Sequence, residues 1–233
     1  MNNLRKYYEK NYKKYGIKFQ REYPNEELVR FISRNFSHIS KVKKKKINIL
    51  ETGCGSGGNI WMVAEQGFNS FGIDLSLYSV KIAKNYLKKK KLKSKIIQGD
   101  MLSLPYKNNY FHAIIDIFSS CHLTSNQSFE FLENCHKKLK KNGLFFSYFP
   151  SKKSKMYNNK KNIFLDKNTI YNNMKCKNIY EINNFPIRFL SKNEYLKILK
   201  QKKFKITHSE ELTKTYSNGR DHFTFNVIEA KKI

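Results

Sequence analysis

The chain is short of acid. Eighteen Asp and Glu face 46 Lys and Arg, so the net charge is +28 at pH 7 over 233 residues. Cysteine is also scarce. Cys54, Cys121, Cys135 and Cys176 are far apart and form no C-x-x-C pair. That spacing suggests neither a zinc site nor a disulfide framework, and no metal is expected. Reduced thiols suit a cytoplasmic location. No run of about 18 apolar residues occurs, so no membrane span is expected. The opening stretch, MNNLRKYYEKNYKKYGIK, lacks the apolar core of a secretion signal. What is present suits a globular protein. Hydrophobic residues make up 39% and aromatics 15%, enough to fill a core. The length fits one domain better than two.

The charge has two readings. One is a surface for nucleic acid or an anionic membrane. The other is a solvated lysine coat that follows from AT-rich coding, since Lys, Asn, Ile, Tyr and Phe abound throughout. The lysines are spread over nearly every polar segment, with runs at Lys43–Lys46 and Lys88–Lys91. No Arg-rich arm is present, so the solvated coat is favoured. A positive field would still suit an anionic small substrate.

Hydrophobic spacing organises the chain. YPNEELVRFISRNF reads as a helix capped by Asn25. From Ile47 strands and helices alternate. INILET, NSFGID, SKIIQGD, YFHAIIDIFSS and LFFSYFP read as strands, and GNIWMVAEQ, LYSVKIAKNYLKKK and SNQSFEFLENCHKKLKK as helices. Ser125 or Asn126 is the expected cap of the last helix, and Gly143 stands near its expected stop. This alternation predicts a doubly wound, mostly parallel α/β sheet. Residues 151–184 have weak periodicity and read as an inserted lid or loop. Ser191 then caps a helix. FKITHSE and DHFTFNVIEAKK form a closing hairpin, with one face of the last strand partly exposed.

The stretch NILETGCGSGGNIW carries the chemistry. A strand, a glycine turn and a helix bring backbone N–H groups against a ligand. Gly53, Gly55 and Gly58 fit G-x-G-x-x-G, and Asp74 lies about 20 residues on, which alone points to a dinucleotide. Asp74 can accept hydrogen bonds from both hydroxyls of a ribose, which says adenosine without saying nicotinamide. Glu51 stands where a pyrophosphate would be repelled, so a cationic ligand group suits this turn better. Asp100, at the end of the third strand, can accept from an adenine amino group, with Met101 or Leu102 against the ring.

These motifs together resemble the class I S-adenosylmethionine-dependent methyltransferases, and the bacterial small-molecule members most of all. Glu51-x-Gly53-x-Gly55-x-Gly57 resembles their first motif, and GIDLS their acidic second-strand motif. GDMLSLPYKNNYFHAIIDIFSSCHL resembles their adenine motif and fourth strand, and KKLKKNGLFF their following turn. The resemblance implies a seven-stranded Rossmann-like sheet with an antiparallel last strand, and S-adenosylmethionine as cofactor. It implies that Gly53, Cys54 and Gly55 line the methionine part and that Glu51 orients the loop or meets the ammonium. Asp74 and Leu75 would take the ribose and one ring face, Asp100 and Met101 the adenine, and Asp116, Ile117 and Phe118 would end beside the sulfonium. It divides one domain into a helical lid (1–40), a cofactor core (47–149), an insertion (150–190) and a closing helix and hairpin (191–233).

Methyl transfer to oxygen or a protonated amine needs a base. His122 is the first candidate. Arg188 could grip an anionic acceptor, and Arg220 and His222 could reach the same crevice. Tyr15 and Tyr23, with Arg21, belong to an N-terminal segment that often closes over both ligands in this family, as do Tyr7, Tyr8 and Tyr12. DIFSS follows the fourth strand instead of the Asp/Asn-Pro-Pro-Tyr/Phe signature of many nucleic-acid amine methylases. A small metabolite or sugar precursor is therefore the expected acceptor. The alternatives are an RNA or protein methyltransferase, a non-catalytic cofactor-binding subunit and, more remotely, a nicotinamide oxidoreductase. Oligomeric state is not legible in the sequence.

Overall fold

Three helices, α1 (Asn2–Tyr15), α2 (Glu26–Phe36) and α3 (Lys41–Lys44), precede the first strand. A computed structural model describes residues 2–160, 162–171 and 185–233. Strands and helices then alternate: β1 (Asn48–Thr52), α4 (Ile60–Glu65), β2 (Asn69–Asp74), α5 (Leu77–Lys89) and β3 (Lys95–Gln98). They continue with β4 (Phe111–Ile117), α6 (Ser125–Lys138) and β5 (Leu139–Pro150). Three short strands follow, β6 (Ile163–Asp166), β7 (Thr169–Tyr171) and β8 (Pro186–Arg188). The chain closes with α7 (Lys192–Gln201), β9 (Phe204–Tyr216) and β10 (Asp221–Lys232).

The main sheet has the order β3-β2-β1-β4-β5-β10-β9. The pairs β1–β2, β1–β4, β2–β3 and β4–β5 are parallel, whereas β10 runs antiparallel to both β5 and β9. This is the Rossmann-like sheet expected from the sequence. The order reverses direction between β1 and β4. Ligands bind at such a switch point, outside the carboxyl ends of the strands. Layered helices cover the sheet, so strand interiors are buried on both faces. Phe31 of α2, fully buried, stacks on Phe146 of β5 with ring centroids 4.9 Å apart. Burying such a side chain stabilises the fold by about 1.5–3 kcal/mol.

Several details differ from expectation. The last strand has no exposed face from Phe223 to Ala230, because β10 lies inside the sheet and not at its edge. Its polar residues are paired instead. Asn226 donates to the Leu190 carbonyl at 2.8 Å, and Glu229 accepts from Arg34 and Asn35 of α2. Helix α6 is capped by Thr124, not by Ser125 or Asn126. Its hydroxyl accepts from the Gln127 backbone, and the Gln127 side chain returns a bond to Thr124 N–H. Gly143 does not stop that helix. The chain is extended from Leu139, and the left-handed turn residue is Asn142, at φ +63°. Gly143 has its own need, since a Cβ there would lie 2.9 Å from the Lys140 carbonyl oxygen. The 151–184 region contains more than loop: β6 and β7 pair antiparallel, with β8 beyond them. Residues 161 and 172–184 of that region, including Cys176, lie outside the described residues.

Candidate active site

At the switch point β1 gives way to the turn 53–59. Gly53, Gly55 and Gly57 have φ values of +64°, +51° and +88°. L-residues with a side chain are strained there, which explains the alternate glycines. Gly58 has no positive φ; a Cβ there would lie 2.4 Å from the Arg21 carbonyl oxygen. Close approach demands that glycine. Gly57 packs against Ala83 of α5, its would-be Cβ 3.2 Å from that methyl, and it does not line the cavity described next.

A cavity of about 650 Å³ opens beside this turn. Its floor includes Glu51, Gly53, Cys54, Gly58, Asn59, Asp74, Leu75 and Met101. Glu51 is buried. Its Oε1 accepts from Asn59 Nδ2 at 2.6 Å, while Oε2 has no partner among the described residues. Burial disfavours the charged carboxylate and pushes its pKa up to about 8. Asp74 is heavily bonded. Oδ1 accepts from Ser76 N–H at 2.9 Å and Ser79 Oγ at 2.7 Å, and Oδ2 accepts from Gly55 N–H at 2.8 Å. It therefore ties β2, α5 and the glycine turn together, and Oδ2 keeps one lone pair spare.

Residues of the N-terminal segment form the roof. Tyr7, Tyr8, Tyr12 and Tyr15 of α1, with Phe19, Gln20 and Arg21, line the cavity. Phe19 is the hub of an aromatic cluster, 5.0 Å from Tyr12 and 6.1 Å from both Tyr7 and Tyr8. Hydrogen bonds at three points fasten the roof. The Glu9 carboxylate accepts from Leu77 N–H at 2.7 Å and Tyr78 N–H at 3.1 Å, at the start of α5. Trp61 donates to the Glu22 carbonyl at 3.0 Å, and Asn25 N–H donates to Asn59 Oδ1 at 2.8 Å. A Cβ on Gly55 would meet Gln20 Oε1 at 2.2 Å, so roof and turn touch.

The wall between floor and roof holds Ile117, Phe118, Ser119 and His122. Here the chain turns sharply, with Phe118 at φ +56°. Asp116 holds this turn and does not line the cavity. Fully buried, it accepts from Ser119 Oγ at 2.6 Å, from Ser120 N–H at 3.0 Å and from the Ser120 hydroxyl. His122 Nδ1 lies 3.1 Å from the Pro186 carbonyl oxygen of β8. A carbonyl only accepts, so Nδ1 carries the proton and Nε2 is bare. The Tyr8 hydroxyl stands 3.3 Å from Nε2 and donates to it. Burial holds the imidazole pKa below its ordinary value.

The other sequence candidates lie elsewhere. Asp100 does not line the cavity; its Oδ1 accepts from Leu102 N–H at 2.9 Å, which presents Met101 instead. Tyr23 is 74% exposed. Arg188 is buried apart from the crevice, in a small void with Tyr195 and Phe131, and burial lowers its pKa. Arg220 turns back to the Ser217 carbonyl, and His222 meets the Lys153 carbonyl at 3.1 Å, both outside the cavity. Sequence reasoning missed Glu9, Gln20, Asn59 and Ser119. Asn59, next to the glycines and one turn from Glu51, carried a usable signal; the other three carried none.

Comparison with known proteins bears on this geometry. Residues 49–143 match the family described as "Methyltransferase domain". The matched stretch runs from β1 through α6 and includes the glycine turn. The roof and the 151–190 excursion lie outside the matched segment. The chain is 31% identical over 136 residues to a ubiquinone biosynthesis O-methyltransferase of Pelagibacter ubique, covering 55% of each protein. It is 33% identical over 103 residues to a sterol 24-C-methyltransferase of Pneumocystis carinii, covering 43% of this chain and 27% of that one. The chain spans 27% to 31% of the length of the first curated relatives it matches. A solved SAM-dependent methyltransferase of Methanosarcina mazei superposes with a TM-score of 0.70 at 16% identity, over 81% of this chain and 93% of the other. At that identity the likeness concerns the fold alone, and it extends beyond the matched segment.

Proposed function

We propose that the chain binds S-adenosylmethionine in this cavity and transfers its methyl group to a small-molecule acceptor. The observation that carries this reading is the buried Glu51 Oε2 on the cavity floor, unpartnered among the described residues. A buried carboxylate without a partner is unfavourable, and an ammonium would satisfy it. A diphosphate would not. Asp74 Oδ2 has a lone pair for a ribose hydroxyl, and Leu75 and Met101 offer apolar surface to a base. When bound, the cofactor supplies a methyl group on a cationic sulfur.

His122 is the base. Its bare Nε2, on the wall between floor and roof, accepts the acceptor's proton, directly or through the Tyr8 hydroxyl. Positioned bases contribute about 10²–10⁴-fold in rate. Lys18 and Arg21 line the same cavity and support an anionic group on the acceptor. Arg188, Arg220 and His222 give that idea no support, and the lining does not single out a sugar precursor. A roofed cavity of this volume suits a small acceptor better than a polymer.

Calorimetry with S-adenosylhomocysteine tests the reading. Wild type should bind, and Asp74→Ala should bind at least tenfold more weakly. Absence of binding by wild type, or equal affinity of the two, removes the cofactor from this site.

A further inference from the structure

Outside the crevice, β6 carries a strip of exposed apolar side chains. Ile163, Phe164 and Leu165 are 56%, 51% and 57% exposed. They form the longest consecutive run of exposed large hydrophobic residues among the described residues. In a strand with one buried face, every second side chain would be covered. Here none is. β6 is the outer strand of its sheet, with β7 on one side only. Such an edge invites association unless something covers it.

Charge decides what that is. Lys160 and Lys167, both exposed, flank the run, and the whole chain carries +28. A second copy would bring like charges together. A bilayer with anionic headgroups would attract the lysines and accept the apolar side chains. These are the two signals that reversible interfacial binding needs.

The strip also sits next to the active-site wall. Asp166, which follows it, has its carboxylate 3.5 Å from the Ser125 hydroxyl, three residues after His122. β8 of the same small sheet supplies the Pro186 carbonyl that fixes His122. We infer that Ile163–Leu165, flanked by Lys160 and Lys167, is a peripheral docking strip for an anionic membrane surface. Docked this way, the protein holds the His122 side of its cavity near the lipid–water boundary, where amphiphilic acceptors concentrate. The docking itself does not depend on methyl transfer.

Vesicle flotation with the full chain tests it. The probes are vesicles of phosphatidylcholine alone and vesicles with phosphatidylglycerol added. Wild type should float with the anionic vesicles at low salt and stay behind with the neutral ones. The triple variant Ile163→Ser, Phe164→Ser, Leu165→Ser should bind at least about tenfold more weakly. Lys160→Glu with Lys167→Glu should also lose binding. These side chains lie mostly in solvent, and Phe164 alone of them has a ring contact among the described residues, with Tyr157, so thermal melting should stay close to wild type and certify the fold. Three results overturn the inference. One is no wild-type flotation. Another is full binding by the serine variant, which would assign attraction to diffuse charge. The third is a wild-type dimer in light scattering, abolished by the serine variant, which would make a second copy the occupant.

Discussion

The floor and roof of the cavity are built by different means. The floor is set by backbone: three left-handed glycines and a carboxylate, Asp74, that bonds three groups on two elements. The roof is set by side-chain tips. Glu9, Trp61 and Asn59 each bridge it to the floor by hydrogen bonds, and aromatic edges fill the space between. Individual hydrogen bonds of this kind contribute about 0.5–1.5 kcal/mol net. A handful can hold a cover shut yet let it open for ligand exchange. The floor has no such freedom, because moving it would break β1, β2 and α5 together.

The sharpest break of that contrast is Gly53→Ala. The residue sits at φ +64°, and an added Cβ would lie 2.4 Å from Ser119 Cβ. Backbone strain of this kind is worth about 1–3 kcal/mol, and the displaced turn should abolish S-adenosylhomocysteine binding. Calorimetry and a denaturant titration measure both. Normal binding would mean that the floor is softer than its geometry implies.

Next in size is His122→Gln, which acts where wall and roof meet. Turnover with any acceptor that wild type methylates should fall about 100-fold or more, with S-adenosylhomocysteine affinity unchanged. The wild-type rate should fall as pH drops through a value below the ordinary histidine range, because burial depresses this pKa. Stability follows the same direction. The unfolded chain binds the His122 proton more readily than the folded one, so this contribution is lost as pH falls below about 6.5. An acid limb unchanged in the variant would exclude His122 as the base.

The floor was legible in the sequence because its demands are local. A left-handed backbone position calls for glycine, and the alternate spacing 53, 55, 57 records three of them. The G-x-G-x-x-G reading through Gly58 fitted the letters but not the conformation, since Gly58 answers to the Arg21 carbonyl. Asp74 was legible as a strand-end acid, though not as the knot that ties Gly55, Ser76 and Ser79. The roof was not legible. Tyr8 meets His122 across 114 positions and Glu9 meets Tyr78 across 69, and no periodicity encodes such pairs. Burial misled in one place: alternation in β10 suggested a partly exposed face, whereas Thr224, Asn226 and Glu229 are buried polar residues with partners inside.

Glu51 sharpens the comparison by pH. Its folded pKa of about 8 lies above that of an ordinary carboxyl. Between about pH 4.5 and 8 the folded state therefore holds a proton that the unfolded state has released, and stability falls as pH rises through that window. Glu51→Gln should flatten this dependence and be the more stable protein at pH 8. If a cation settles on Oε2, wild type should release close to one proton on binding S-adenosylhomocysteine at neutral pH, and Glu51→Gln none. Calorimetry in buffers of different ionisation enthalpy counts the protons. No release by wild type would place the ligand's ammonium elsewhere.

The smallest expected effect belongs to the roof. Glu9 accepts two backbone N–H bonds at the start of α5, where a carboxylate also meets the positive end of the helix dipole. Glu9→Ala should lower stability by about 0.5–1.5 kcal/mol. It should leave the floor alone, so the change appears in kinetics more than in fold. Amide exchange should quicken across residues 2–25 and not across the glycine turn. S-adenosylhomocysteine should leave several-fold faster, with its association rate little reduced. A variant that slows exchange in α1, or loosens β1 and β2 equally, would show that roof and floor move as one body, contrary to the way their bonds are distributed.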